Sequence, residues 1–517
     1  MHRRQFIMAA AVSGLLPTLM YQRELADAAS PAETAIRGFK DVVRLATNQA
    51  GSAFSAQKMA LSAPFADLDQ THYHGITATP EIPGMLGGNK GFKLSPLPPG
   101  LIYRDPVKLS VIGKEQTTPI SFSPENLQFD PALFGYPDGR APAEVFDGLD
   151  YSGLRLSHPV NQPDKLDEFL VFQGASKFRA LAQGLHFGAT ARALAIRTGT
   201  PGGEEFPVIK AIWIVEPDAF AQEVTLCALL DSPSCTGAYE FRIMPGATTT
   251  MDIKARLFPR TEISQIGIAP LNSMFFFSPG DKVGIDDYRN AVHNSSGLQM
   301  ITGAGRRLWR PLTNPSQVEI SAFQDLNPTG FGLTQRPRTF DHYQDIQNRF
   351  EQRPSVWVEP ASGWGQGAVM LVEVPTSNEL NENIFAFWRP AQPIGPQPDG
   401  HEFAYRLHWG RGAPDDLPPA RVLTTRIGDA DHTGSSARRF VIDFHKYEGM
   451  PSQLSLQPTV STGSVSELQL RELPDGKFIR ASFRFEPEGT AKSEMQMELH
   501  GPEGPVSETW LYRWNGP

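Results

Sequence analysis

Hydrophobic and polar residues alternate with a period of two through much of the chain, and this pattern most constrains its fold. Clear examples occur at 239–243, 403–409, 440–444, 495–499 and 510–514. Strands that bury one face alternate in this way, whereas helices repeat every 3.6 residues. The 46 glycines and 45 prolines supply the turns that short strands need. The sequence therefore predicts an all-β fold built from antiparallel sandwiches.

One helix is expected near the start of the mature chain. The helical spacing i, i+3, i+4, i+7 is occupied by Phe39, Val42, Val43 and Ala46. Gly51 follows and is expected to end the helix.

A proline-rich segment at 389–400, RPAQPIGPQPDG, is the best candidate for a domain boundary. Its four prolines favour an extended, semi-rigid linker that donates few ladder hydrogen bonds. We therefore expect a large β-sandwich domain at 35–388. The short alternating strands of 401–517 have the size of an immunoglobulin-like sandwich.

Residues 1–28 have the features of an export signal. Arg3 and Arg4 precede an apolar run that is too short to span a bilayer, and an Ala-x-Ala-like site follows at 26–28. The paired arginines favour the twin-arginine route, with an ordinary secretory signal or a membrane anchor as the alternatives. The mature protein is predicted to be periplasmic, and no later segment is apolar enough to span a membrane.

Charge and motifs exclude several classes of function. The net charge of −9 disfavours nucleic-acid binding, which needs a basic surface. Phosphate-binding glycine loops, HExxH and GxSxG are missing from the sequence, so no cofactor, no metal and no nucleophilic serine are expected. Cys227 and Cys235 flank a predicted hairpin turn whose register does not favour a disulfide, so buried free thiols are expected.

Acids, aromatic residues and amides are dense between 325 and 388. Sugar sites need this mixture, because aromatic faces stack on pyranose rings and carboxylates pair with hydroxyls. Hydrolysis further needs two carboxyl groups, one protonated and one ionised. Asp341 and Asp345 are candidates for the ionised carboxyl group, and Tyr343 and Trp357 are candidates for stacking on the sugar. Further candidate substrate contacts are Glu359, Trp364 and Glu379. The alternative is that the tryptophans, with Trp388, are core residues and the acids form a solvated surface.

Several ordered motifs strongly resemble the periplasmic glucans biosynthesis proteins G and D, the OpgG/OpgD or MdoG/MdoD family. The matching segments include EEFP at 204–207, LLDS at 229–232, GIAP at 267–270, RPL at 310–312, NPTGFGL at 327–333, DHYQD at 341–345, RPSVWVEP at 353–360 and SETWLY at 507–512. The resemblance covers roughly 35–515, and the paired arginines look more like the D branch.

The resemblance implies a carbohydrate-binding, mutarotase-like β-sandwich followed by a smaller immunoglobulin-like domain. It also implies a role in making osmoregulated periplasmic glucans, whose backbone is β-1,2-linked glucose. Relatives of the D type look like inverting endo-β-1,2-glucanases, and some transfer and cyclise the chain instead.

The family's catalytic positions carry over with three changes. The general acid, an aspartate in the family, matches Glu382. The aspartate that serves as general base follows a histidine, and these positions match Asn294 and His293. A relay tyrosine matches Phe350. An asparagine cannot accept a proton and a phenylalanine lacks the hydroxyl.

Three activities therefore remain open at the sequence level. The protein could hydrolyse glucan with a shifted carboxylate pair, such as Glu382 or Glu379 with Asp341 or Asp345. It could transfer chains to a sugar hydroxyl, or bind the backbone without chemistry. A β-1,2-glucan polysaccharide is the expected ligand, and a glucan synthase of the inner membrane is a candidate partner.

Overall fold

The computed structural model describes residues 36–79, 86, 91–282, 284–414, 420–431, 434–489 and 492–516. The predicted export signal at 1–28 lies outside these residues. Within them the chain consists mainly of β-strands, which confirms the predicted all-β class.

Few helices interrupt the strands of the described residues. The α-helices are α1 (Phe39–Ala50), α2 (Gln70–His74), α3 (Pro131–Phe134) and α4 (Phe340–Tyr343). Short 3-10 turns occur at Pro124–Asn126, Ala143–Phe146 and Phe350–Gln352. The strands, in chain order, are β1 (Ile76–Ala78), β2 (Lys93–Leu97), β3 (Lys108–Ile112), β4 (Thr117–Ile120), β5 (Leu127–Phe129), β6 (Gly153–Gln162), β7 (Lys165–Gln173), β8 (Lys177–Ala180), β9 (Thr190–Arg192), β10 (Leu194–Ile196), β11 (Val208–Val215), β12 (Val224–Asp231), β13 (Cys235–Met244), β14 (Thr249–Pro259), β15 (Ile266–Ser273), β16 (Phe275–Phe277), β17 (Val292–His293), β18 (Gly297–Ile301), β19 (Arg307–Pro311), β20 (Glu319–Leu326), β21 (Gly330–Thr334), β22 (Ser355–Pro360), β23 (Gln366–Glu373), β24 (Ile384–Pro390), β25 (His401–Gly410), β26 (Val422–Asp429), β27 (Arg438–His445), β28 (Ser455–Val460), β29 (Ser464–Glu472), β30 (Phe478–Glu486), β31 (Ser493–Gly501), β32 (Gly504–Pro505) and β33 (Thr509–Trp514).

Two large sheets form the main sandwich of the described chain. One has fifteen strands, in the order β28-β31-β33-β19-β18-β21-β22-β25-β14-β13-β12-β11-β3-β4 with β32 beside β31. The other has ten, in the order β2-β6-β7-β8-β9-β15-β24-β23-β20 with β10 beside β15. Apolar side chains from both sheets meet in one core. The rings of Phe172 and Phe241, for example, come from opposite sheets and lie 5.1 Å apart.

The fifteen-stranded sheet continues into a second, smaller sandwich. Its strand β19 pairs in parallel with β33 near the end of the chain, with Trp309 opposite Trp510. A four-stranded sheet, β26-β27-β30-β29, faces this end of the large sheet. Phe440 and Trp510 pack across the small core at 5.9 Å. The predicted large sandwich followed by a small one is therefore confirmed, and one sheet contributes to both.

The proline-rich segment at 389–400 begins at the end of β24 of the ten-stranded sheet and precedes β25 of the fifteen-stranded sheet. Strand β25 follows that segment, yet it pairs with β14 and β22 in the middle of the fifteen-stranded sheet. The prolines interrupt the connection between two strands of the larger sandwich, and the four-stranded sheet begins at β26. The division into domains at this segment stays a prediction.

The predicted helix is confirmed as α1, followed by Gly51. It packs on the outer face of β12 and β13, where Val42 and Ala46 are fully buried. Cys227 lies in the same cluster, and both cysteines are buried free thiols as predicted. Burial raises the pKa of each thiol to about 12.

Candidate functional site

The loop between β23 and β24 carries Glu382 at its end and is held by the neighbouring Asn383. The side-chain oxygen of Asn383 accepts from the backbone N–H of Phe275 at 2.9 Å. Its amide nitrogen donates to the carbonyls of Phe275 at 3.0 Å and Val374 at 2.9 Å. A buried amide with its groups paired has one orientation. The backbone beside Glu382 is therefore fixed against β16.

Three strands of the ten-stranded sheet position the Glu382 carboxylate. Thr190 of β9 donates to it at 2.7 Å, and Asn272 of β15 donates at 3.3 Å. The Lys177 ammonium of β8 forms an ion pair with the same group. The Glu382 side chain is 20% exposed, so solvent reaches a carboxylate whose orientation these donors fix.

Two opposing effects set the charge of Glu382. Burial raises its pKa, but the nearby Lys177 charge and the three hydrogen bonds outweigh burial and leave the pKa below the ordinary value of 4.5. The carboxylate is therefore ionised at neutral pH and accepts hydrogen bonds. A general acid must hold a proton, which Glu382 does not in this arrangement.

A second group of carboxylates surrounds Arg289. Its guanidinium lies 2.8 Å from Asp287, 2.8 Å from Asp345 and 2.7 Å from Glu379. The hydrogen bonds that Arg289 donates, the one to Asp287 first, raise the pKa of Arg289. Glu379 belongs to the same loop as Glu382, so this cluster connects that loop to the segment after α4.

Asp345 is a loop-stabilising residue in this structure. One of its oxygens accepts from the backbone N–H groups of Gln347 at 3.0 Å and Asn348 at 2.8 Å. The other accepts from the side chains of Asn348 and Arg289. Burial raises the Asp345 pKa, but these bonds outweigh it and the pKa is lowered. Asp341 is exposed and accepts from Gln344 at 3.2 Å.

His293, Tyr343 and Phe350 are brought together in a buried apolar cluster next to the Arg289 group. The His293 ring lies 5.3 Å from that of Tyr343, and Phe350 lies 5.9 Å from Tyr343. Burial lowers the pKa of His293 to about 3, so the ring is neutral. The backbone N–H of Asn294 donates to the carbonyl of Met274 at 2.8 Å.

Phe275 connects this cluster with Glu382. Its ring stacks on His293 at 5.3 Å, and its backbone holds Asn383. The residues predicted from the family's catalytic positions thus lie in one region. The same region contains the Arg289 cluster, since Glu379 and Glu382 share one loop.

The predicted stacking residues do not fit the role proposed from the sequence. Tyr343 is fully buried and donates through its hydroxyl to the carbonyl of Pro337 at 3.0 Å. Trp357 is 3% exposed and packs against Ile301 and Ala413. Their ring faces are covered by protein, so neither offers a surface to a sugar in this conformation. Both rings are core residues in this structure, as the alternative proposed for the tryptophans describes for Trp357.

Two other candidates lie apart from Glu382. Glu359 sits on β22 of the opposite sheet and contacts His408 at 2.8 Å. Trp364 is half-buried, 6.2 Å from Trp388 and 5.9 Å from Tyr405. The structure does not bring either into the region around Glu382.

Sequence reasoning missed the donors around Glu382 and the cation among the acids. Lys177 and Thr190 lie on the successive strands β8 and β9, Asn272 comes much later in the sequence, and the three meet because β8, β9 and β15 are neighbours in the sheet. Arg289 lies outside the acid-rich segment 325–388 from which the candidate carboxylates were predicted. No local pattern marks these residues, and only strand order brings them together.

Comparison with known proteins identifies the family of this chain. Residues 38–514 match a family described as "Periplasmic glucan biosynthesis protein, MdoG". The chain belongs to this family. The resemblance noticed in the sequence is thereby confirmed over nearly the whole described chain.

Named relatives agree with this assignment. A "Glucans biosynthesis protein G" of Vibrio cholerae serotype O1 (strain M66-2) is 41% identical over 477 residues, which cover 92% of this chain and 86% of the relative. A protein of the same name from Shewanella sp. (strain ANA-3) is 39% identical over 475 residues, with the same coverage. The closer likeness to the D branch stays a prediction.

This family member is a periplasmic protein of glucan biosynthesis, as predicted. Within the described residues, we find no helix with the length and apolar character needed to cross a membrane.

Proposed function

We propose that this protein binds the β-1,2-linked glucose backbone of periplasmic glucans at a site centred on Glu382. The observation that carries the proposal is a solvent-reachable carboxylate held by donors from three neighbouring strands. Sites that recognise hydroxyl-rich ligands need polar groups whose positions are fixed before binding. The family's role in glucan biosynthesis supplies the substrate class.

The Glu382 site offers both kinds of hydrogen-bonding group that a glucose unit needs. The ionised carboxylate accepts from sugar hydroxyls, and such charge-assisted bonds are stronger than neutral ones. The Lys177 ammonium has further N–H groups that can donate to sugar oxygens, and the Thr190 oxygen can accept from a sugar hydroxyl. Lys177 is 41% exposed, so its ammonium can reorient toward a ligand.

Binding without cleavage fits this geometry better than inverting hydrolysis does. Inversion needs a protonated acid and, roughly 6.5–9.5 Å away, a carboxylate that activates water. Glu382 is ionised. The positions that match the family's base and relay residue hold Asn294 and Phe350, and neither side chain can take a proton.

A second candidate function is hydrolysis or chain transfer with Glu382 as the acid. One observation favours it: burial by itself raises the pKa of Glu382, and the Lys177 charge is the main opposing effect. A sugar that moved Lys177 away would therefore raise the pKa and allow the carboxyl group to hold a proton. Asp341 is the exposed carboxylate from which a base could be recruited.

Calorimetry with linear β-1,2-glucan and linear β-1,3-glucan tests the proposal. The wild-type protein is expected to bind the β-1,2 chain more tightly. Glu382→Gln keeps the side-chain shape but removes the charge, so it should weaken binding by about tenfold or more. Glu223→Gln is the matched control, because Glu223 is an exposed partner of Arg242 on the far sheet.

Equal or absent heat for both glucans would contradict the proposal. A product assay on the same samples distinguishes the two candidates. Oligosaccharides released by the wild type but not by Glu382→Gln would favour the enzyme, and linear and cyclic products separate hydrolysis from transfer. An inner-membrane glucan synthase remains a proposed partner, and co-purification from solubilised membranes would test it.

A further inference from the structure

A cavity of about 630 Å³ lies where the two sandwiches meet, away from Glu382. One wall belongs to the fifteen-stranded sheet and its loops, and the other to β26 and β27. Its volume falls within the range of sites that hold small molecules, roughly 300–1,000 Å³. Neither Glu382 nor the residues that hold it line this cavity, and Gln335 of the lining contacts His293 at 2.9 Å.

Arginine supplies the positive charge of the described lining of this cavity. Four arginines and two histidines line it, burial lowers the pKa of His408, and no aspartate or glutamate is among the described lining residues. The six are Arg336, Arg338, Arg411, Arg421, His408 and His445. A concave surface with one sign of charge and low-dielectric walls concentrates ligands of the opposite charge.

Arg336 and Arg411 contribute to this charge in different ways. Arg336 is paired with the buried Glu508, so its charge is compensated. Arg411 is exposed, and its guanidinium forms no ion pair with any residue that the structure describes. Arg411 is therefore the side chain best able to meet an incoming anion.

An unpaired buried hydroxyl points to a ligand independently of the charge. Thr334 is 1% exposed, lines the cavity, and its Oγ1 has no hydrogen-bond partner among the described residues. Buried polar groups are nearly always paired, and leaving one unpaired costs about 1–3 kcal/mol. Gln299, which is 2% exposed, adds an amide to the same wall.

We propose that this cavity binds a small anionic sugar, with Arg411 facing the anionic group and Thr334 and Gln299 pairing with hydroxyls. Guanidinium groups match the oxygens of phosphate and carboxylate in charge and geometry. Hydroxyl and amide side chains complement the remaining oxygens of a sugar. The anion could be a free sugar phosphate or a charged group carried on a glucan chain.

Calorimetry on the full protein with glucose 6-phosphate tests this site. The heat should be clear at low ionic strength and decrease as salt is added. Glucose should bind at least tenfold more weakly, because it lacks the charge. Arg411→Gln should weaken glucose 6-phosphate binding by about tenfold or more. Arg44→Gln is the matched control, since Arg44 is an exposed arginine of α1 and does not line the cavity.

Thr334→Val provides a second variant, in which the side chain keeps nearly the same volume. It should weaken binding of glucose 6-phosphate and leave the thermal midpoint at or above that of the wild type.

A neutral β-1,2-gluco-oligosaccharide and its phosphorylated form distinguish the two sources of the anion. If only the phosphorylated form loses affinity in Arg411→Gln, the charge is carried on the glucan. No heat with glucose 6-phosphate, or the same affinity in Arg411→Gln and wild type, would overturn the proposal. Glu382 does not line the cavity, so the test of neutral glucan binding at Glu382 is independent of both results.

Discussion

The ion pair between Arg336 and Glu508 should be a main connection between the two sandwiches. Arg336 follows β21 in the large sandwich, and Glu508 precedes the C-terminal β33. Arg336 Nη2 donates to Glu508 at 2.9 Å, and the backbone N–H of Val422 at the start of β26 donates to the same carboxylate at 2.7 Å. The Arg336 guanidinium also lies 3.5 Å above the Trp309 ring. One carboxylate thus joins three elements.

Replacing Glu508 with glutamine should strongly lower the free energy of unfolding. The side chains of Arg336 and Glu508 are 7% and 1% exposed, so solvent cannot replace the lost charge. Glutamine keeps one oxygen that can accept from Val422, but its amide hydrogens face the Arg336 donors. Removing one partner of a buried ion pair costs about 3–5 kcal/mol.

Denaturant unfolding followed by tryptophan fluorescence measures this effect, because Trp309 contacts Arg336 and reports on the junction. Glu223→Gln provides the comparison, since an exposed pair is worth about 0–1 kcal/mol. We expect Glu508→Gln to shift the midpoint well beyond this control. Equal midpoints for the two variants would show that this pair does not join the sandwiches.

Three further predictions concern buried polar groups. In the folded protein the pKa of His293 is about 3, against an ordinary value of 6.5. The free energy of unfolding should therefore be highest above pH 6.5 and decline as the pH falls toward 3. His293→Phe should reduce this pH dependence of the denaturation midpoint. Asn383→Ala leaves the backbone groups of Phe275 unpaired and should lower the free energy of unfolding by about 1–3 kcal/mol, which chemical denaturation measures. The same variant should weaken glucan binding, which calorimetry measures. Cys227 and Cys235 should react with a thiol reagent only after unfolding, because the raised pKa of both buried thiols suppresses the thiolate.

The period-two pattern predicted the strands well because burial on one face of a sheet is local information. In the strand that contains Tyr239, Phe241 and Ile243, these three residues are buried and Glu240 and Arg242 are not fully buried. The pattern could not predict which strands are neighbours. That information lies in long-range pairing, such as β19 with β33, which are about two hundred positions apart.

The position of β25 illustrates the same limit for domain boundaries. Prolines at 389–400 mark a segment that avoids regular pairing. They carry no information on which sheet the chain enters next. Strand β24 belongs to the ten-stranded sheet, whereas β25 lies between β14 and β22 in the fifteen-stranded sheet, so its position depends on long-range pairing.

The candidate site was predictable only where a motif carried it. The family resemblance identified Glu382, but its lowered pKa depends on Lys177, which is about two hundred residues away in sequence. Aromatic composition suggested that Tyr343 and Trp357 stack on sugars. Composition cannot distinguish an exposed ring from a buried one, and both rings are buried.

Hydrogen exchange measured with and without linear β-1,2-glucan locates the glucan site on the protein. We expect slower amide exchange with glucan in the loop 374–383 and around Lys177, Thr190 and Asn272. We expect no change in β22, which carries Glu359 on the opposite sheet. Protection confined to β22, or unchanged exchange in the loop at saturating glucan, would contradict a glucan site at Glu382.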